Sequence, residues 1–305
     1  MPLVSCFIPA FKGMPHLQEA VESIRQQAFG DWECIVIDDA STDGTWSYLQ
    51  SLDDPRFVVH RMPANSHVAA TSNLAQQLAR GQYLARLDQD DRAVPERLAL
   101  QVAYMQAHPD VTVCGGWMQL FGEHQGLAHA PQDDAHIKAN FLMAMGNIAN
   151  PASMVRLDFL RQHRLYSDPQ FPLSCDYGLW VECMLRGARF ANLPQVLTHY
   201  RIHGQQGSRH LAEVRRGVQR IRTLILHHWY PALTAREIDA IEPLLHAQGV
   251  QSMTREQLLQ GLSVCDRLQA EPGTSQHGED RQAVAAYIAK RAQLWRDAMN
   301  KPQSV

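Results

Sequence analysis

Two short runs of carboxylates stand out as residues able to do chemistry: Asp38-Asp39 inside IVIDDASTDGT, and Asp88-Gln89-Asp90-Asp91. Mg2+ and Mn2+ prefer oxygen ligands, and one or two carboxylates often hold them while substrate phosphates complete the shell. An Asp-x-Asp at the end of a strand suits that task. One carboxylate reaches the cation, and the other reaches a ribose or a metal-bound water. In the first run, a carboxylate at a strand end can accept from the N3–H of uracil or thymine, or from guanine N–H groups. The plainer role is to cap the following helix. The expectation is that one of the pair caps while Asp39 reads a base. Like charges crowded this closely cost free energy unless a cation or a donor-rich ligand offsets them.

Both runs close strand-like segments. Val4 to Ile8 is an apolar run closed by Pro9, Cys34 to Ile37 stops on Asp38, and Tyr83 to Leu87 stops on Asp88, with Phe57 to Met62 as a further strand. Continuous apolar runs of this length suit strands buried on both faces of a parallel sheet. Between them, Leu17, Ala20, Val21 and Ile24 recur at helical spacing. A short helix through Trp46 and Leu49 follows a Ser41–Asp43 cap, Val68 to Ala79 forms another, and Pro95 opens a fourth. Strands alternating with helices predict an α/β fold, whose ligands bind at the carboxyl ends of the strands. Further along, Val111 to Met118 and Val196 to Ile202 read as strands, Asp176 to Arg186 as a helix, and residues 126–150 as loop and helix. Helical patterns then cover 211–228, 235–248, 255–269 and 281–299, with EPGTSQHGED (271–280) as a polar hinge.

The expected division is therefore an α/β catalytic domain over residues 1–205 and a C-terminal helical region over 206–305. A net charge of −3 gives no general attraction to nucleic acid, which is excluded as a partner. Six cysteines form no CxxC pair, and Cys6 and Cys34 lie inside apolar runs as reduced, buried thiols would. That usage, the absence of a signal-peptide pattern and the lack of a membrane-length apolar run point to a cytoplasmic enzyme. Residues 213–231 mix Arg with Leu, Ile, Trp and Tyr, which leaves room for peripheral contact with the inner membrane face, although packing on protein is the commoner use.

The run VSCFIPAFKGMPHLQEAVESIRQQAFGDWECIVIDDASTDGT resembles the opening of glycosyltransferase family 2, whose members have the GT-A fold, a Rossmann-like nucleotide-diphospho-sugar transferase domain. The likeness continues through Asn65, Asn73, Gly81, Tyr83 and LDQDD, then CDYGLWV (175–181) and LPQVLTHYRIHGQQGS (193–208). It implies an inverting, non-processive transfer of a sugar, most commonly from a UDP donor, to a hydroxyl of a glycan or lipid-linked acceptor, as in bacterial surface polysaccharide synthesis. By the same resemblance Pro9, Ala10 and Phe11 line the base pocket and Asp39 bonds the base. Asp88 holds ribose or a metal water, Asp90 binds Mn2+ or Mg2+, Asp176 is the general base, and Arg201 and His203 face the diphosphate. The GQQGS loop after His203 would be a lid. Inverting transfer needs just these parts: a base beside the acceptor and positive charge at the departing diphosphate. The ordinary role for Asp176 is a helix N-cap.

The chain departs from that pattern in places. Asn65-Ser66-His67 stands where the family usually has Asn-x-Gly, so an imidazole at 67 is expected to narrow the pocket or add a donor. Ser72 replaces a common Arg, and Gly178 an Asp, the latter enlarging the acceptor cleft. QRIRT (219–223) lacks the Trp of the processive QxxRW motif. A nucleotidyltransferase would need a Gly-rich basic loop where IPAFKGMP stands, and a dinucleotide oxidoreductase a GxGxxG. A non-catalytic sugar-binding scaffold is the remaining alternative. Retention of Asp39, Asp88, Asp90 and Asp176 argues against it.

Overall fold

A computed structural model describes residues 1–144, 147–171, 173–204, 211–246, 253–270 and 278–300. They divide into two compact units: Met1–Gln132 with Ile148–Gly217, and Asp133–Asn147 with Val218–Val305. The first is a sheet unit, the second helical. The division expected at residue 205 differs from this one: the boundary falls inside a helix, α8 (Leu211–Trp229), and residues 133–147 belong with the helices. The physical reason lies in α5 (Asp134–Phe141), which packs on α11 (Gly278–Asn300) and joins to it through Lys138 Nζ and Asp280 Oδ2, 2.9 Å apart.

Four parallel strands form one half of the sheet: β1 (Val4–Ala10), β2 (Trp32–Asp38), β3 (Phe57–Arg61) and β4 (Tyr83–Arg86). The other half holds β5 (Arg92–Ala93), β6 (Val113–Gly122), β7 (Gly126–Ala128), β8 (Met154–Arg156) and β9 (Phe190–Ile202). The order is β3-β2-β1-β4-β8-β6-β9-β5, with β7 beside β6. β2 is buried at every position and β1 at all but one, as their apolar runs dictate. Glu33 tolerates burial because Ser5 Oγ (2.7 Å) and Arg80 N and Nε (2.9 and 2.8 Å) donate to it. Gly81 is required beside this cluster, since a Cβ there would stand 2.6 Å from Ser5 N.

Helix α1 (Leu17–Arg25) buries Leu17, Ala20, Val21 and Ile24, the stripe read from the sequence. Three further helices of this unit matter for the site: α3 (His67–Leu78), α4 (Arg97–Ala107) and α7 (Cys175–Leu185). α4 begins two residues beyond Pro95. β8 escaped the sequence reading, being three residues inserted antiparallel between β4 and β6. β9 begins six residues before the expected Val196. Gly116 pairs with Leu193 but Trp117 with Val196, so Pro194, which has no N–H to donate, falls in the irregularity between two ladders.

In the helical unit α9 (Ala235–Ile241) opens with a capping box between Thr234 and Glu237, and α10 (Arg255–Ala270) packs on it. Gly261 permits that approach, since a Cβ would lie 2.4 Å from Ala240 O. The polar hinge read at 271–280 lies largely outside the described residues. All six cysteines are buried and free. No helix among the described residues is long and apolar enough to cross a membrane.

Candidate active site

The carboxyl ends of β1 and β2 deliver Pro9, Ala10, Phe11 and Asp39 to one end of a cavity of about 550 Å3. Asp39 is 4% exposed, and its two carboxylate oxygens accept from Ser66 N (2.7 Å) and His67 N (2.9 Å). It thus clamps the start of α3 rather than the helix that follows it. A carboxylate offers about four acceptor positions, so lone pairs remain for a ligand N–H. Asp38 serves its own turn, accepting from Ser41 N at 3.1 Å and pairing with Arg61 Nε at 3.1 Å.

His67 has φ of +63°, the left-handed region that a glycine occupies without strain. Its backbone is what the site uses. The side chain is exposed and absent from the cavity lining, so the narrowing expected of this imidazole is not observed; Asn65 is exposed as well. Phe11 is 40% exposed, and its backbone N and O pair with the Gln89 amide at 2.8 and 3.1 Å. Gln89 therefore ties the wall carrying Phe11 to the acidic loop.

That loop follows β4. Asp88 Oδ1 accepts from Arg86 Nε at 2.8 Å, and Asp90 Oδ2 lies 2.7 Å from His203 Nε2, just beyond β9. Asp91 is fully buried, and its Oδ1 accepts from Arg201 N at 2.8 Å. Burial, then Asp88 and Asp90, push the Asp91 carboxyl up to about 9. Burial and Asp88 likewise raise Asp90, against the opposing effect of His203. Arg201 spends its guanidinium on the carbonyl of Asp90 (2.9 Å), on Glu19 (2.7 Å) and over the Phe121 ring (4.5 Å), and is not among the lining residues. Of GQQGS, only Gly204 is among the described residues.

Asp176 stands in the first turn of α7 and lines the same cavity. The cap position belongs to Ser174, so the capping role does not account for Asp176. Burial raises its carboxyl above the usual range, while Arg86 pulls it down. Arg86 is the centre of this region. It donates to Asp88 and to Ser72 Oγ (3.2 Å), and the Asn150 amide, turned to face it, accepts at 3.0 and 3.1 Å. Ser72, where the family usually has Arg, is thus an acceptor for a different arginine. Asn73 holds the segment leading to α7 through reciprocal bonds with Ser167 N and O, both 2.8 Å, and Gln76 adds Leu165 O at 2.8 Å.

One cavity therefore gathers Pro9, Ala10, Phe11, Asp39, Asp88, Asp90 and Asp176, with His203 bonded to its rim. The sequence reading passed over Arg86, Gln89, Asn150 and Glu19. Arg86 carried a signal, because it is a charge inside the otherwise apolar run Tyr83–Leu87 and stands two residues before Asp88. Asn150 and Glu19 are brought in from distant segments, and no local pattern marks them. A second, open groove of about 620 Å3 across α1 is lined by Glu19, Tyr48, Arg92 and His199 and lacks the strand-end carboxylates.

A family model described as Glycosyl transferase family 2 matches residues 5–158. An uncharacterized glycosyltransferase of Haemophilus influenzae is 30% identical over 68% of both chains. The Escherichia coli protein named UDP-Glc:alpha-D-GlcNAc-diphosphoundecaprenol beta-1,3-glucosyltransferase WfaP is 29% identical over 67% of this chain and 78% of its own. Among solved structures, S. aureus TarS 1-349 in complex with UDP-GlcNAc aligns with a TM-score of 0.64 at 16% identity, covering 98% of this chain and 92% of that one. The fold is GT-A, carrying a helical C-terminal region.

Proposed function

This chain belongs to glycosyl transferase family 2, and from that premise we propose that it transfers a hexose from a UDP-sugar, with inversion, to a hydroxyl of a glycan or lipid-linked acceptor in bacterial surface polysaccharide synthesis at the cytoplasmic membrane face. The observation that carries this reading is the lining of one cavity by the base wall, Asp39, the acidic loop and Asp176. The names of relatives support the donor and acceptor classes.

In this account Phe11 stacks on the uracil ring and Asp39 accepts its N3–H with the lone pairs its backbone partners leave free. Asp88 holds the ribose. Among the described residues no group of three or more His, Cys, Asp or Glu stands ready to hold a metal, so a divalent cation would take Asp90 from the protein, 2.7 Å from His203, and draw the rest of its oxygen shell from the substrate phosphates and water. Mn2+ or Mg2+ bound there would offset the charge gained by the departing diphosphate. Arg201 holds the acidic loop by its backbone and leaves the phosphates to His203.

On the acceptor side, Asp176 takes the hydroxyl proton as the oxygen attacks the anomeric carbon and the bond to the diphosphate breaks on the opposite face. Only the ionised form of Asp176 can do this. Because its carboxyl is raised, activity falls on the acid side at a pH above the ordinary carboxylate range. The test is Asp176→Asn assayed with UDP-sugar and a lipid-linked acceptor. Loss of transfer with UDP affinity intact is expected. Transfer near the wild-type rate would exclude Asp176 as the base, and equal loss of UDP binding would make it structural.

A further inference from the structure

Asp176 also lines a second, smaller space. A cavity of about 40 Å3 is lined by Asp176, Trp180, Arg86, Asn150, Ser72 and Ser167, among others. Asp176, Arg86 and Asn150 also line the large cavity, so these three side chains form the partition between the two. Asp176 and Trp180 are four residues apart on α7 and therefore share one helix face.

Trp180 is 4% exposed, and its indole Nε1 is buried without an acceptor among the described residues. A buried donor left unpaired is costly, and such groups are usually satisfied by ordered water. One water needs roughly 10–15 Å3, so the space holds about three or four. Among the residues lining the space, Ser72, Ser167 and Asp176 carry polar groups.

We infer that this inner cavity is a hydration site in which water accepts from the Trp180 indole N–H and donates to the Asp176 carboxylate, making Trp180 a positioning residue for the catalytic base. The inference rests on the reading of Asp176 as that base. The chemistry is simple. A water polarised by the indole N–H is a better donor, and donation favours the ionised carboxylate that must receive the acceptor proton. The other charged or titratable groups facing Asp176 are Arg86 and Asp88 from the β4 side and Cys175 on its own helix. Arg86 attracts the carboxylate through its charge, and the water adds a hydrogen bond from the inner cavity.

Trp180→Phe keeps the ring and removes the donor. The experiment records the pH dependence of kcat for wild type, Trp180→Phe and Asp176→Asn, together with UDP affinity and thermal stability. Trp180→Phe is expected to move the acid limb upward by about half a unit to one unit, so kcat near the limb drops about three- to tenfold. Activity at high pH and UDP affinity stay near wild type. An unmoved limb in a folded Trp180→Phe, with Asp176→Asn inactive, overturns the inference and leaves the base in place. An active Asp176→Asn overturns the base reading itself. Should the variant fail to fold, a high-resolution crystal structure of the wild type decides: water bonded to both Trp180 Nε1 and Asp176 supports the inference, and a dry cavity refutes it.

Discussion

The site turns on Arg86, a side chain that stands between two carboxylates of different duty. In the proposed reaction Asp88 serves the donor end and Asp176 the acceptor end, and both act on the arginine electrostatically. Removing this charge should harm both ends at once. Arg86→Met is expected to lower transfer about 10- to 100-fold, the value of one or two charge-assisted hydrogen bonds, and to move the acid limb of the rate profile upward, since Arg86 opposes the rise of Asp176. Steady-state rates across pH check this. A loss in KM for the donor alone, with the limb unmoved, would confine Arg86 to Asp88. The carboxylates themselves were legible because two of the apolar runs, Cys34–Ile37 and Tyr83–Leu87, stop on acid at the sheet edge where ligands of such folds bind. Their partners were less legible. Asp39 was read as a base contact, but its bonds to Ser66 and His67 depend on a chain reversal that no local pattern announces.

At the scale of elements, α3 links the two ends of the site. Asp39 grips its first turn, while Asn73 and Gln76 on its later turns hold residues 165–167, which lead into α7. Asn73 was recognised as part of a motif without a task, and the task is to place that approach to Asp176. Asn73→Ala strands the N–H and carbonyl of Ser167 and should destabilise the protein by about 1–3 kcal/mol. It should also lower kcat more than it raises KM for the donor. Thermal unfolding with a kinetic split checks this, and a change confined to KM would contradict it. The parallel strands and α1 could be read from periodicity because one period governs each. β8 and the start of β9 could not be read so, since three residues carry no period and Pro194 masks a strand that resumes beyond it.

For the molecule as a whole, the sheet unit contains every residue assigned to chemistry, and the helical unit has a core of its own. Within it, Arg222 and Glu242 form a buried ion pair, 1% and 4% exposed, with Arg222 Nε also donating to Leu142 O at 2.6 Å. Arg222→Met leaves Glu242 buried without its cation and should cost about 3–5 kcal/mol, whereas Arg222→Met with Glu242→Leu should recover most of that loss. Chemical denaturation of both variants tests the pair, and equal destabilisation of single and double variants would refute it. The sequence pattern placed the division at residue 205, inside the last family motif. It gave no sign that residues 133–147 join the helices, because α5 is short and its pairing with α11 spans more than a hundred residues of chain.

The proposed function stands on the strand-end carboxylates forming one metal-assisted nucleotide site. Titration calorimetry of the full chain with UDP, dTDP and GDP, with and without Mn2+, and again on Asp90→Ala, tests it most directly. UDP binding is expected to strengthen with Mn2+ and to lose that gain in Asp90→Ala. No nucleotide binding under any condition would contradict it.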